Sequence, residues 1–203
     1  MNEKFLKYYE DKRYTAIIDV AMFFLLILGF HFLYLFWVKL HFWPIADTIK
    51  SFFEWASSIL FNQSQWVLEH VFNVDIVTYK HSLGLLNNEG TYSFVAVAPE
   101  CTSLKQWMHW LFLMLIFPGP WRHKAWYIPL GLIIIEFVNV VRVTGILMML
   151  KYWPDNFALF HNYIFKVFFY FMIFVMWVIW VEFFVHGKKS NNYKNGQQDN
   201  LHT

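Results

Sequence analysis

Cys101 is the one cysteine of the chain. It follows Pro99 and Glu100 and opens an apolar run. A thiol near a helix N-terminus faces unpaired backbone donors and the positive end of the helix dipole, which favour negative charge on it. Glu100 opposes this, while Lys105, four residues on, can assist it or reach for headgroups. Arg142 stands within Glu136-Phe137-Val138-Asn139-Val140-Val141-Arg142-Val143-Thr144, and His161 follows the segment Lys151 to Phe160. A nucleophile, a base and a cation form the minimum set for acyl transfer. The thiolate attacks a carbonyl, the imidazolium protonates the leaving amine, and the guanidinium stabilises the oxyanion or the thiolate. Each residue also has an ordinary reading: a buried apolar thiol, a cation paired with Glu136, and a polar side chain at an interface.

The elements that must position these residues belong to a membrane protein. Of 203 residues, 58% are hydrophobic, 23% aromatic and 15% charged, and mean hydropathy is +0.38. Soluble domains are closer to about 25% charged. The net charge of +2 gives no nucleic-acid signal. Residues 1–15 form a polar tail with Lys4, Lys7, Lys12 and Arg13, followed by an apolar stretch over 16–39 that reads as a retained signal anchor. Ala125 to Leu150 and His161 to Val185 are two further spans, and Cys101 to Pro120 is a fourth with polar residues in its first turns. The fold expected is all-α and membrane-integral, with about four transmembrane helices.

Basic residues set the orientation. The N-terminal tail, the loop with Arg122 and Lys124, and the tail with Lys188, Lys189 and Lys194 belong in the cytoplasm. Both termini are then cytoplasmic, and residues 40–100 lie outside the cell membrane. Within them Ile45, Ile49, Phe52, Phe53, Ala56, Ile59 and Leu60 predict an amphipathic helix on the membrane surface. Ile76 to Tyr79 and Thr91 to Val97, flanking Asn87-Asn88-Glu89-Gly90, predict a small β-hairpin. Residues 101–185 are the three-helix catalytic membrane core, and 186–203 a polar, disordered tail.

On this topology Cys101, Arg142 and His161 come from three spans to one level near the outer leaflet. Arg142 lies about 12 Å below the surface by helical rise, where an arginine costs roughly 2.5 to 3.5 kcal/mol unless it faces protein or water. His109, two turns below Cys101, is held about 12 Å from the thiol, too far for direct proton transfer. Asn139, one turn before Arg142, can orient the guanidinium or substrate. No metal is expected, because the histidines show no ligand spacing, and no cofactor is implied.

The blocks Ala98-Pro99-Glu100-Cys101-Thr102-Ser103-Leu104, Asn139-Val140-Val141-Arg142-Val143 and Phe160-His161-Asn162 resemble, in order and spacing, the three signatures of the exosortase/archaeosortase family. The resemblance runs from about Tyr92 to Glu182, with Ser103 where the family often has Gly. It implies an integral-membrane cysteine transpeptidase or protease. Its partners are exported proteins whose C-terminal sorting signal combines a short motif, a transmembrane helix and a basic tail. Cys101, Arg142 and His161 are the catalytic residues so implied. The alternative is a non-catalytic membrane subunit of an export or surface-assembly complex, in which Arg142 pairs with Glu136.

Overall fold

The computed structural model describes residues 12–41, 44–88 and 90–186. The remainder of both expected tails, 1–11 and 187–203, lies outside these residues. Helix α1 (Lys12–Lys39) is apolar on all sides, and exposed Phe24, Leu25, Phe32 and Phe36 give it a surface that requires lipid. It starts ahead of the expected Ala16, because Lys12 to Thr15 continue the helical backbone.

Among the described residues three helical segments are long and apolar enough to cross a membrane: Ala16–Lys39, Trp121–Tyr152 and Val167–Val185. Where the sequence predicts a further span from Cys101 to Pro120, the helix is α3 (Leu104–Ile116), 13 residues long. At about 1.5 Å per residue it covers roughly 20 Å, against about 30 Å of hydrocarbon. Its end has a local cause. Phe117 precedes Pro118, which disfavours helical backbone there, and Phe117 is accordingly extended at φ −62°, ψ 139°. The buried Lys124 ammonium donates to the Phe117 carbonyl at 2.7 Å and to that of Leu115 at 3.4 Å, satisfying carbonyls the helix leaves open.

Helix α4 (Trp121–Tyr152) is the longest element, at 32 residues. After a 3-10 turn (Pro154–Asn156) and the single-turn α5 (Phe157–Leu159), a π-helical stretch (Phe160–Ile164) leads into α6 (Phe165–Trp180). One core joins α1, α3, α4 and α6 through Phe23, Trp110, Phe117, Tyr127, Trp177 and Trp180. Two of its polar edges are satisfied, with Tyr127 donating to the Met176 carbonyl at 2.7 Å and Trp110 to that of Ile128 at 3.2 Å, while the Trp177 indole N–H is buried without a hydrogen-bond partner among the described residues. At Gly131 a Cβ would stand 2.2 Å from the Trp110 indole nitrogen, so glycine is what lets α3 and α4 close together.

Helix α2 (Ala46–His70) extends past the expected amphipathic segment and is less apolar than the three candidate spans. It buries Ser57, Leu60, Ser64 and Leu68, at spacings of three and four, against the rest of the chain. Ile45 and Phe52, expected on the apolar face, are exposed, as is Trp55, on whose ring Phe52 stacks at 5.5 Å. The helix has two apolar sides, one against protein and one outward. The expected hairpin is a three-stranded antiparallel sheet: β1 (Ile76–Tyr79), β2 (Ser82–Leu86) and β3 (Tyr92–Ala96), in that spatial order. Its inner face, with Leu83, Leu85 and Val95, joins a second core with α2 and with Val143, Ile146 and Leu150 of α4.

Candidate active site

The chain reaches Cys101 directly from the sheet. Val97 donates to the His81 carbonyl at 2.8 Å, one step beyond β3, and Pro99–Cys101 then forms a 3-10 turn. Thr102 returns to extended backbone at φ −68°, ψ 157°, and its hydroxyl donates to the Pro99 carbonyl at 2.8 Å. Only after Ser103 does α3 begin. Cys101 therefore precedes the helix rather than opening it, contrary to the sequence expectation, because the proline turn and extended Thr102 intervene. The thiol is half-buried and lies 3.8 Å from the Ala96 carbonyl oxygen, to which it donates.

Helix α4 presents three polar residues at three-residue spacing to this segment. Asn139 is fully buried; its Nδ2 donates to the Cys101 carbonyl at 3.1 Å, while its Oδ1 accepts from Arg142 Nη1 at 3.4 Å. The Arg142 guanidinium interacts electrostatically with the Cys101 thiol and with the Tyr170 hydroxyl on α6. One turn back, Glu136 accepts a hydrogen bond from the Ser103 hydroxyl. Among the described residues the Arg142–Glu136 pair expected of a non-catalytic subunit is not formed: Glu136 accepts from Ser103, and Arg142 donates to Asn139.

The other expected residues divide around this centre. Lys105 places its ammonium 5.2 Å from the Tyr34 ring centroid, towards α1. Glu100 is exposed. His109 is buried, with Nδ1 2.6 Å from the Lys105 carbonyl and its ring edge-on to Phe30 of α1. His161 is half-buried on the π-helical stretch. The next residue after that stretch, Phe165, packs on Gly145, where a Cβ would meet the phenyl ring at 2.8 Å. Gly145 is one turn beyond Arg142 on α4, and His161 is a further turn from Phe165 towards the Tyr152 end of α4.

Beside the site, a cavity of about 120 Å³ is lined by Trp55, Gln63, Ser103, Trp107 and Glu136 among others. Gln63 Oε1 and Trp107 Nε1 are buried at its walls without hydrogen-bond partners among the described residues. Sequence reasoning did not single out Tyr170 or Gln63. A tyrosine in an aromatic helix and a glutamine on a surface helix carry no spacing signal, and only the packing of α6 and α2 makes them neighbours of the site. Among the described residues no group of three or more His, Cys, Asp or Glu side chains gathers to hold a metal ion.

Chemically, the arrangement sets a half-exposed thiol on a backbone pinned from α4 by Asn139, the same side chain that holds the Arg142 guanidinium. Searches of the curated proteins and of the solved structures give no match. A family model described as transmembrane exosortase matches residues 10–178, from just ahead of α1 almost to the end of α6. With most of its length covered by that match, the chain belongs to the transmembrane exosortase family.

Proposed function

We propose that the protein is a membrane-embedded cysteine transpeptidase or protease that removes the C-terminal sorting signal of exported proteins at the outer membrane–water interface. The observation that carries this reading is the chain of contacts from Cys101 through Asn139 to Arg142, with the guanidinium acting on the thiol. A guanidinium at this site stabilises negative charge that develops on the carbonyl oxygen during thiol attack.

In this reading Cys101 Sγ attacks the scissile carbonyl carbon and a C–S bond forms. The C–N bond breaks as protonated His161 gives its proton to the leaving amine, and Arg142 stabilises charge on the carbonyl oxygen. Water or an acceptor amine then attacks the thioester, passes a proton to His161 and releases the thiolate. On the proposed topology the short α3 still counts as a crossing within the bundle, which puts both termini in the cytoplasm and the site outward. A substrate helix with a basic tail inside presents its motif at the level of Cys101.

Thioester capture tests the chemistry. Full-length protein incubated in its native membranes with a processed substrate should carry an acyl adduct on Cys101 that hydroxylamine removes. Processing that continues in a Cys101→Ala chain, with no adduct in the wild type, overturns the reading.

A further inference from the structure

The catalytic thiol stands at the end of an open sheet edge. In the β2–β3 ladder, Leu83 lies opposite Val95 and Leu85 opposite Ser93. The bonds of Val97 N–H to the His81 carbonyl and of Asn87 N–H to the Thr91 carbonyl fix which residues face β2. In antiparallel pairing, hydrogen-bonded and non-bonded pairs alternate, so 91, 93, 95 and 97 bond to β2. Tyr92, Phe94 and Ala96 turn their N–H and C=O groups the other way. β3 is an edge strand, since the sheet order is β1-β2-β3, and all three residues are exposed. Among the described residues the hydrogen-bond partner on this outward row is the Cys101 thiol, which donates to the Ala96 carbonyl.

We infer that this edge is the docking strand for the substrate. The extended segment ahead of the scissile bond adds to β3 as a fourth strand, and the backbone register delivers the scissile carbonyl to Cys101. This inference rests on the proposed processing reaction. An open edge is a ready template for another chain, and strand addition draws affinity from main-chain bonds and selectivity from alternate side chains. β3 runs towards Cys101. On the proposed topology the substrate also runs from outside into the membrane, so the added strand is parallel to β3. One face of the added strand lies beside the exposed Tyr92 and Phe94 rings, which are 6.2 Å apart. The substrate class is therefore a polypeptide that is extended, not helical, through its recognition segment.

Phe94→Pro tests this in native membranes carrying the full-length chain and a substrate whose processing requires Cys101. Proline removes the outward N–H at that position without deleting a bond to β2. Thr78→Pro is the control: with a two-residue turn joining Tyr79 to Ser82, Thr78 faces outward on the opposite edge, β1. Phe94→Pro is expected to lower kcat/KM about tenfold, chiefly through KM, while Thr78→Pro stays within about twofold. Both should alkylate at Cys101 with N-ethylmaleimide at the wild-type rate. Wild-type processing by Phe94→Pro overturns the docking inference and leaves the processing reaction standing. Absence of any Cys101-dependent processing overturns both.

If Phe94→Pro alters alkylation, disulfide trapping decides. A chain with Cys101→Ala and Phe94→Cys has one thiol, which is offered substrates with single cysteines stepped through the segment before the cleavage site. Adducts at every second position support strand addition. Adducts spaced by three and four, or none, overturn it.

Discussion

Asn139 pins the backbone of Cys101: its carboxamide nitrogen lies 3.1 Å from the Cys101 carbonyl oxygen, across 38 residues of sequence. The other end of the same amide accepts from Arg142. One buried side chain thereby links the Cys101 backbone to the Arg142 guanidinium. Asn139→Leu removes both bonds, and misplacing a nucleophile by about 1 Å is worth on the order of 100-fold in rate. We expect kcat for substrate processing to fall by that order with KM little changed, as measured by steady-state cleavage in membranes. An unchanged kcat would leave Asn139 a packing residue only.

In the proposed reaction Arg142 acts through shape as well as charge. A guanidinium spreads its donors in a planar fork, so it can meet the Asn139 oxygen while still facing the thiol; a lysine ammonium is a single point. Arg142→Lys should retain partial processing, and Arg142→Gln should lose about 100- to 1,000-fold, the range typical of removing a group that stabilises developing charge. Equal activities for the two variants would show that the charge is not what matters.

The bond from Ser103 to Glu136 ties the approach to α3 onto α4. Ser103→Ala leaves a half-buried carboxyl short of a donor and should destabilise the protein by about 1–3 kcal/mol, read as a lower Tm of the full chain in detergent. Adding Glu136→Leu removes the orphaned group, so the double variant should lose less than the sum of the two single changes. Strict additivity would mean that the two side chains are energetically independent.

Gly131 and Trp110 make a packing prediction away from the site. Gly131→Ala forces a methyl to within 2.6 Å of three indole atoms, and overpacking of this kind costs about 1–3 kcal/mol. Trp110→Leu in the same chain should recover part of the lost Tm. A Gly131→Ala chain as stable as wild type would mean that α3 and α4 separate freely.

These contacts also mark how far the sequence was readable. Long apolar runs identify the three long spans, since length and hydropathy act locally. β2 was harder to see, because Gly84 inside Ser-Leu-Gly-Leu-Leu reads as a turn. The structure explains it: the Phe94 ring lies over Gly84, 2.4 Å from where a Cβ would be, so a strand neighbour requires the glycine. The types and order of Cys101, Asn139 and Arg142 were legible. So were the common level of Cys101 and Arg142 and the pairing of Asn139 with Arg142; the bond from Asn139 to the Cys101 backbone was not, because it depends on Thr102 being extended and α3 starting at Leu104. Glu136 looked like a partner for Arg142 by proximity along one helix. Its partner Ser103 is 33 residues away, at a distance in sequence that periodicity does not report.

The most direct measurement is mass spectrometry of the C-termini of exported proteins from cells carrying the wild-type chain or Cys101→Ala. Defined proteins should end at a new C-terminus, without their terminal transmembrane segment, only where the thiol is intact. Identical C-termini in the two strains, with the candidate substrates expressed in both, would rule out processing by Cys101.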